Sequence, residues 1–203
     1  MRSQKHRSTR KNSQNFTRHD DLIIDVALKL GASDAKRINP SEVVVSEWVR
    51  FKCQYGCPEY GRRLTCPPFT PSIEQVRRML SEYRNILLVR FEQPPIPEKV
   101  GAEGFMKEFN KRQSEVNDIT LKIENELMLR GYYKTFSMEP GICTRCEECV
   151  RQGDRCRHPA EARPSPESLG IDMFSTVKNT GWRVNVKTGI YENWTNYALI
   201  LVD

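Results

Sequence analysis

The sequence predicts an α/β or α+β fold that forms a single domain. We expect a mixed β-sheet with flanking helices, including a βαβ unit, and with cysteine-rich loops at one end of the sheet. A chain of 203 residues can bury a substantial core and usually makes one domain. A long amphipathic segment separates two apolar segments of strand length. Two cysteine-rich segments contain too much glycine and proline for regular structure.

The N-terminal segment, residues 1–19, is predicted to be a basic, disordered tail ahead of one metal-binding domain at 20–203. Residues 1–18 contain six lysines and arginines and no acidic residue, which accounts for the whole excess of 32 basic over 26 acidic residues. Because this tail has little apolar surface to bury, we expect it to pack against nothing. Its charge could attract nucleic acid, but solubility explains it equally well, so nucleic acid is not the partner that we expect.

The predicted elements before the first cysteine loop are short. A helix should begin at Asp20 or Asp21, either of which can cap its N-terminus, and should end near Gly31. Residues 35–38 are typical of a short strand. Residues 43–51 fit a strand or a helix, because periodicity cannot separate the two over so short a run.

The βαβ pattern lies in the middle of the chain. Thr70 as an N-cap, followed by Pro71 at the first helical position, predicts the start of a helix. The continuous apolar run at 86–89 predicts a strand that is covered on both faces. The longest helix is predicted over 102–130, because its apolar residues recur at steps of three and four, and a strand over 132–136 follows it.

The last third of the chain is predicted to complete the sheet. A short helix should start at 165–167, run through Val177 and close near Gly181. Residues 182–186 and 197–202 have the composition of strands, and a turn near 189 would join them. We expect these two strands to form an antiparallel hairpin.

The strongest motif in the sequence is a C-x2-C-x2-C-x6-C run that supplies four candidate ligands: Cys143, Cys146, Cys149 and Cys156. Bacterial ferredoxins use the same C-x2-C-x2-C spacing to hold [4Fe–4S] clusters. Zinc sites more often show separated C-x2-C pairs or a mixture of cysteine and histidine, because one tetrahedral ion needs converging ligands. The run therefore predicts an iron–sulfur cluster, with structural zinc as the alternative.

A second set of candidate ligands, Cys53, Cys57 and Cys66, has three thiols and no histidine nearby. Three thiolates are too few for a closed tetrahedral zinc site. They suffice for a [4Fe–4S] cluster whose fourth iron keeps an open position, where it could bind a substrate as a Lewis acid. Alternatively, these cysteines complete the other site or are ordinary buried residues.

The assignment of the seven cysteines to one or two clusters stays open. In two-cluster ferredoxins the cysteine before a proline serves the other cluster, and Cys66 precedes Pro67. Cys66 could therefore join Cys143, Cys146 and Cys149. The simpler partition of four plus three is the one that we prefer.

Arginines crowd both cysteine loops. They would raise the reduction potential of a negatively charged cluster, or bind an anionic substrate through two parallel hydrogen bonds. Acidic residues lie among them, so surface ion pairs explain them at least as well. The arginines are Arg62, Arg63, Arg145, Arg151, Arg155, Arg157 and Arg163.

The sequence predicts a cytoplasmic protein without a membrane segment. No stretch approaches the roughly 20 apolar residues of a membrane helix, and the N-terminus lacks the apolar run of a secretory signal. Seven cysteines in such a chain favour metal ligation over disulfides.

Taken together, the motifs resemble a predicted metal-binding family that is known chiefly as a domain of unknown function and is common in anaerobic prokaryotes. One stretch, 48–68, reads W-V-R-x-K-C-x3-C-x8-C-P-P. The other, 141–165, reads G-x-C-x2-C-x2-C-x6-C-x-H-P and continues to R-P-S. The resemblance runs from about residue 20 to the C-terminus. It implies a cytoplasmic iron–sulfur or metal protein and supplies no reaction.

Two functions fit these observations. In the first, the chain is an enzyme whose three-cysteine cluster binds a small-molecule substrate while the four-cysteine cluster stores or delivers electrons. In the second, it is a noncatalytic electron carrier or metal-handling module that serves a redox partner protein. A structural zinc protein is the third alternative, and the sequence does not decide whether the chain is an enzyme.

Overall fold

A computed structural model of the chain describes residues 22–186, 189 and 191–203. The basic tail, both capping residues predicted for the first helix and most of the predicted C-terminal turn lie outside these residues. Helix α1 covers 22–29 and leads into a turn at Gly31, whose φ of 113° is a conformation that favours glycine. The predicted end of this helix is thus confirmed.

The described residues form one four-stranded sheet in the order β1-β2-β4-β3. All three pairs of neighbouring strands are antiparallel. The strands are β1 (Asp34–Ile38), β2 (Ile86–Gln93), β3 (Phe136–Met138) and β4 (Trp194–Leu201). The combined α and β fold is therefore confirmed, whereas the expected mixture of parallel and antiparallel neighbours is corrected to an antiparallel sheet.

The correction has a topological cause. The two strands of the predicted βαβ unit, β2 and β3, both pair antiparallel with β4, so they run parallel to each other. The C-terminal strand β4 lies between them and makes hydrogen bonds to both. The unit is therefore a split βαβ. A split unit and a unit whose strands pair directly have the same order of elements along the chain, so the sequence pattern does not distinguish them.

Four further α-helices lie in the described part of the chain: α2 (Glu47–Gly56), α3 (Ile73–Ser81), α4 (Gly101–Leu129) and α5 (Met173–Asn179). The ambiguous segment after residue 43 is thus mostly helical. Helix α3 begins later than predicted, because Ser72 caps it in a capping box with Gln75. The predicted cap, Thr70, instead donates its hydroxyl hydrogen to the Ser168 carbonyl at 2.8 Å.

Three predicted segments are corrected. Residues 132–135 form an irregular turn, in which the Tyr132 N–H donates to the Leu127 carbonyl of α4 and the Lys134 N–H to the Asp203 carbonyl, so β3 starts only at Phe136. Residues 182–186 contain no strand, although the Trp182 ring packs beside Tyr197 of β4 with its centroid 6.1 Å away. The helix predicted from 165 is broken at Gly170, whose φ of 83° separates a short 3-10 helix from α5.

The sheet divides the core into two layers. Leu87, Val89 and Phe91 of β2 pack with α1 and α4 on one face, whereas Ile86 and Leu88 pack with α3 and α5 on the other. The whole run 86–89 is fully buried, as its lack of polar alternation predicts. Burying each such side chain stabilises the fold by about 1.5–3 kcal/mol.

Candidate metal centre

The first cysteine loop begins inside α2. Cys53 lies in its last turn, and Cys57 follows as the C-cap, with its N–H donating to the Cys53 carbonyl at 3.3 Å. Cys66 is buried where the loop turns back, and Gly61 N–H donates to the Pro67 carbonyl at 2.8 Å. The loop is therefore closed by its own backbone, as its glycine and proline content predicts.

The three thiols of this loop lie within electrostatic range of one another. Burial raises the pKa of the Cys66 thiol to about 11, and the charges of Cys57 and Cys53 add to the rise. Burial, followed by the charge of Cys57, also raises the pKa of Cys53. A metal cation would oppose both shifts, since coordination deprotonates a thiol.

The second cysteine loop, residues 139–163, follows β3 directly. Its four cysteines are all partly buried. The Arg145 N–H donates to the Cys143 sulfur, which lowers the pKa of that thiol against the larger, raising effect of burial. The His158 N–H donates to the Cys156 sulfur at 3.4 Å. Backbone donors to sulfur are one means by which proteins tune iron–sulfur clusters.

One arginine connects the two loops. Arg63 lies between Cys57 and Cys66 in sequence, yet its guanidinium donates to the carbonyls of Cys143 at 3.0 Å and Cys146 at 3.1 Å. Its Nε donates to a Glu59 carboxylate oxygen at 2.7 Å, and its side chain is only 13% exposed. The two cysteine loops therefore contact each other, although the prediction that both lie at one end of the sheet stays a prediction.

Helix α4 supports the second loop through two buried amides, which the sequence analysis missed. Gln113 Nε2 donates to the Pro140 carbonyl at 2.6 Å and to Asn117 Oδ1 at 2.9 Å. Asn117 Nδ2 in turn donates to the Ile142 carbonyl at 3.1 Å. The available signal was a polar residue at 113, one helical turn after Phe109, where the apolar stripe of the helix should continue.

Two buried ion pairs hold the ends of the same loop. Arg163 binds both carboxylate oxygens of Glu124, which also accepts a hydrogen bond from the Ser137 N–H at 2.9 Å. Burial raises the pKa of Glu124, but the hydrogen bonds from Arg163 and Ser137 outweigh it, so the pKa is lowered. Near the start of the loop, Arg145 pairs with Glu139 at 3.1 Å and with Asp118.

Glu139 is the less favourably placed of the two buried carboxylates. Its side chain is 1% exposed, and its Oε2 atom has no hydrogen-bond partner among the described residues. Burial raises the pKa of Glu139 to about 7, although the guanidinium of Arg145 acts in the opposite direction. Four of the seven arginines noted in the sequence thus have hydrogen-bond partners within the described chain: Arg63, Arg145, Arg157 and Arg163.

The seven candidate ligands all lie in the described part of the chain, and none forms a disulfide. No group of three or more Cys, His, Asp or Glu side chains among the described residues is arranged so that it could hold a metal ion. The donor chemistry fits an iron–sulfur cluster, because it consists of free thiols with backbone N–H donors at two sulfurs. The assignment of ligands to one or two clusters stays a prediction.

A cavity of about 280 Å³ opens beside the first loop. Cys53 and Cys57 line it together with Trp48 of the same helix and Phe174 of α5. The Cys53 thiol also lies 3.9 Å from the Glu167 carbonyl, to which it can donate. Two of the three cysteines of the incomplete set therefore face a space that a small molecule can enter.

The chain matches the model of a family described as "Predicted metal-binding protein (DUF2284)" over residues 36–202. Comparisons with curated proteins and with solved structures gave no match. A search of the described helices found none that combines the length and the apolar character needed to cross a membrane.

Proposed function

Because the chain belongs to the family of predicted metal-binding proteins (DUF2284), we propose that it is a cytoplasmic iron–sulfur protein holding [4Fe–4S] clusters. Cys143, Cys146, Cys149 and Cys156 form a four-cysteine centre that stores or delivers electrons. Cys53, Cys57 and Cys66 form a three-cysteine centre with an open iron. A cluster held by three thiolates supplies a Lewis-acid position to which a substrate atom can bind.

The observation that carries this proposal is the contact made by Arg63. Its guanidinium belongs to the three-cysteine loop and binds carbonyls of the four-cysteine loop at 3.0 and 3.1 Å. Clusters that exchange electrons must be close together, and this contact supports such proximity. The positive charge also favours the reduced, more negative state of a neighbouring cluster.

The sulfur environment favours iron–sulfur clusters over zinc. Two cysteine sulfurs, of Cys143 and Cys156, accept backbone N–H hydrogen bonds from residues two positions later. The open coordination of the three-cysteine set is the second reason, since a structural zinc ion takes four protein ligands. The proposal includes closure of both loops when the metal binds, because metal binding is commonly coupled to local folding.

The cavity beside Cys53 and Cys57 supports a substrate role for the three-cysteine centre. With about 280 Å³, it is close to the smallest cavities that bind small molecules. The substrate would enter past the rings of Trp48 and Phe174, which are 49% and 42% exposed. No comparable opening is needed for a centre that serves as an electron store.

The proposal is tested by purifying the protein without oxygen, measuring iron and acid-labile sulfide, and recording EPR spectra. We expect about eight irons and eight sulfides per chain, the content of two [4Fe–4S] clusters. Cys53→Ala and Cys146→Ala should each remove about half of the iron and a different EPR signal. Thr65→Ala is a matched control, because its buried hydroxyl in the same loop has no hydrogen-bond partner among the described residues.

Two results would contradict the two-centre proposal. A wild type with about four irons per chain, all of which are lost in each cysteine variant, would show a single cluster. Zinc without sulfide would remove the redox function and leave a structural site.

A noncatalytic electron carrier is the second candidate, and one feature of α2 favours it. Trp48, Phe51 and Tyr55 are 49%, 58% and 78% exposed on the helix that carries Cys53. Exposed aromatic side chains of this kind are enriched where proteins bind partners. Cyanide or a small thiol distinguishes the two functions, since an open iron should bind it and change the EPR signal of the three-cysteine centre, whereas a closed carrier should not respond.

A further inference from the structure

A second and larger cavity, of about 660 Å³, lies next to the cavity at the cysteines. The two share three wall residues, Glu167, Met173 and Phe174. A volume of this size accommodates a typical small organic ligand. The larger cavity also reaches Gly141, near the start of the four-cysteine loop.

One part of the larger cavity is an aromatic wall. Trp194 and Phe109 lie with ring centroids 5.8 Å apart, and Arg112 covers the Trp194 ring at 5.3 Å. Phe174 is 42% exposed and makes no ring contact with another described residue. Because flat rings prefer to stack on other rings, this wall favours a planar apolar group.

Two amide side chains in the wall of the cavity are already oriented. Trp194 Nε1 donates to Asn196 Oδ1 at 3.0 Å, and Asn196 Nδ2 donates to Gln113 Oε1 at 3.3 Å. These amides are therefore held by one another and by the indole. Their fixed orientation makes them suitable for selecting a ligand by hydrogen bonding.

The charged residues of the cavity determine which ligand charge is favoured. Among the described lining residues, Arg183 is the one basic residue and Glu167 the one acidic residue. Arg183 forms no ion pair with any other described residue. An arginine whose guanidinium is not already paired with an acidic side chain can bind a carboxylate through two parallel hydrogen bonds. A second negative charge would meet Glu167, so a monoanion is favoured over a dianion.

We propose that this cavity binds an aromatic monocarboxylate, with its ring on the wall formed by Trp194 and Phe174 and its carboxylate on Arg183. We further assign aromatic monocarboxylates as the substrate class of the three-cysteine centre, and this assignment rests on the proposed function. The shared wall residues Glu167 and Phe174 place the ring end of such a ligand beside the cavity that Cys53 lines.

The ligand site is tested by calorimetric titration of the anaerobically purified protein with phenylacetate. We expect saturable binding that is about tenfold weaker for the neutral analogue 2-phenylethanol, which lacks the charge-assisted bonds. Arg183→Met should weaken phenylacetate binding by a similar factor, and Arg183→Lys should restore part of it. Arg151→Met is the control, because this exposed arginine lies outside the cavity.

Several outcomes would overturn the ligand site. These are the absence of saturable binding of phenylacetate at millimolar concentration, equal binding by 2-phenylethanol, and tighter binding of the dianion phenyl phosphate. An Arg183→Met variant that binds as well as the wild type would overturn it too.

The link to the metal centre has its own readout. Bound phenylacetate should change the EPR signal that Cys53→Ala removes, and an unchanged signal would overturn the substrate assignment while the ligand site stands. If the wild type holds no iron and phenylacetate still binds, the proposed function fails, whereas the ligand site is supported. If the wild type holds both clusters and no phenylacetate binds, the ligand site fails alone.

Discussion

Arg63 shows how much one side chain can contribute to a site formed by two distant segments. Its five N–H donors form a rigid fork, and in this chain the fork is divided between the Glu59 carboxylate and carbonyls of the other cysteine loop. A lysine could not reproduce this geometry, because its ammonium group is a single point of charge. The neighbouring Arg62 is exposed, and its side chain makes no hydrogen bond or ion pair with another described residue.

Arg63→Met should lower the free energy of unfolding by about 2–4 kcal/mol, because loop carbonyls and Glu59 lose a charged donor in a poorly hydrated place. Denaturant unfolding of the protein as purified measures the loss. Arg62→Met, at the exposed neighbouring position, should change the stability by no more than about 0.5 kcal/mol. Equal losses in the two variants would show that the contacts between the loops contribute little.

Glu139 should make stability depend on pH. Its pKa is raised from 4.5 to about 7, so the folded protein binds this proton more tightly than the unfolded chain. Stability from this group is complete below about pH 4.5 and is lost as the pH rises to about 7, by up to about 3 kcal/mol. The free energy of unfolding of the wild type minus that of Glu139→Gln should therefore fall between about pH 4.5 and pH 7.

Unfolding curves of both proteins at several pH values check this prediction. A difference that instead grows with pH would show that the ionised pair of Glu139 with Arg145 stabilises the fold more than burial of the carboxylate costs.

At the scale of single elements, α4 has two functions along one face. Its apolar residues, such as Ile123 and Leu127, fill the core below the sheet. Nearer the N-terminus the same face carries the buried amides of Gln113 and Asn117, which bind carbonyls of the four-cysteine loop. The four-cysteine loop is therefore positioned by α4, and strand β3 is the one regular element between them in the sequence.

Asn117→Leu should destabilise the protein by about 1–3 kcal/mol, because the Ile142 carbonyl and the Gln113 amide lose buried partners. The variant should also hold less iron at the four-cysteine centre, which EPR and iron analysis would show. Thr120→Val on the same helix is the matched control, because its hydroxyl is equally buried and its one partner in the described part of the chain is the Val116 carbonyl of the same helix. A larger loss of iron in the control would contradict the supporting function of Asn117.

At the scale of the whole molecule, the two core layers on either face of β2 account for the fold without the N-terminal tail. The core residues of the described chain begin with Ile23. Burial on both faces also explains why the fully buried parts of the two central strands, 86–89 in β2 and 198–201 in β4, contain no polar side chain.

Deletion of residues 2–18 should leave the melting temperature within about 2 °C of the wild type and the iron content unchanged, because these residues have no apolar pattern to bury. Thermal unfolding and iron analysis test this. Deletion of 2–28 is the control, since it removes Ile23, Val26 and Ala27 from the core and should destabilise the protein strongly. A marked loss of stability or metal on removing the tail alone would show that the tail belongs to the fold.

The sequence by itself determined the local features of this protein. The apolar run at 86–89 predicted a fully buried strand, and the period of 102–130 predicted α4 to within one residue at each end. Glycine at 31 marked the end of α1. The cysteine spacings indicated a metal-binding protein, and the family match agrees with that class. These signals are readable because they depend on neighbours within a few residues.

Only the tertiary structure decided which distant segments meet. β4 enters between β2 and β3, which makes the sheet antiparallel, and no pattern within either strand encodes its partner. Arg63 and Glu59 looked like any surface ion pair until the fold brought the second cysteine loop to them. The function of the α4 amides was likewise missed, because the carbonyls that they bind belong to the second cysteine loop. In each case the partner lies tens of residues away, and hydrogen bonds over that separation depend on the packed core rather than on local sequence.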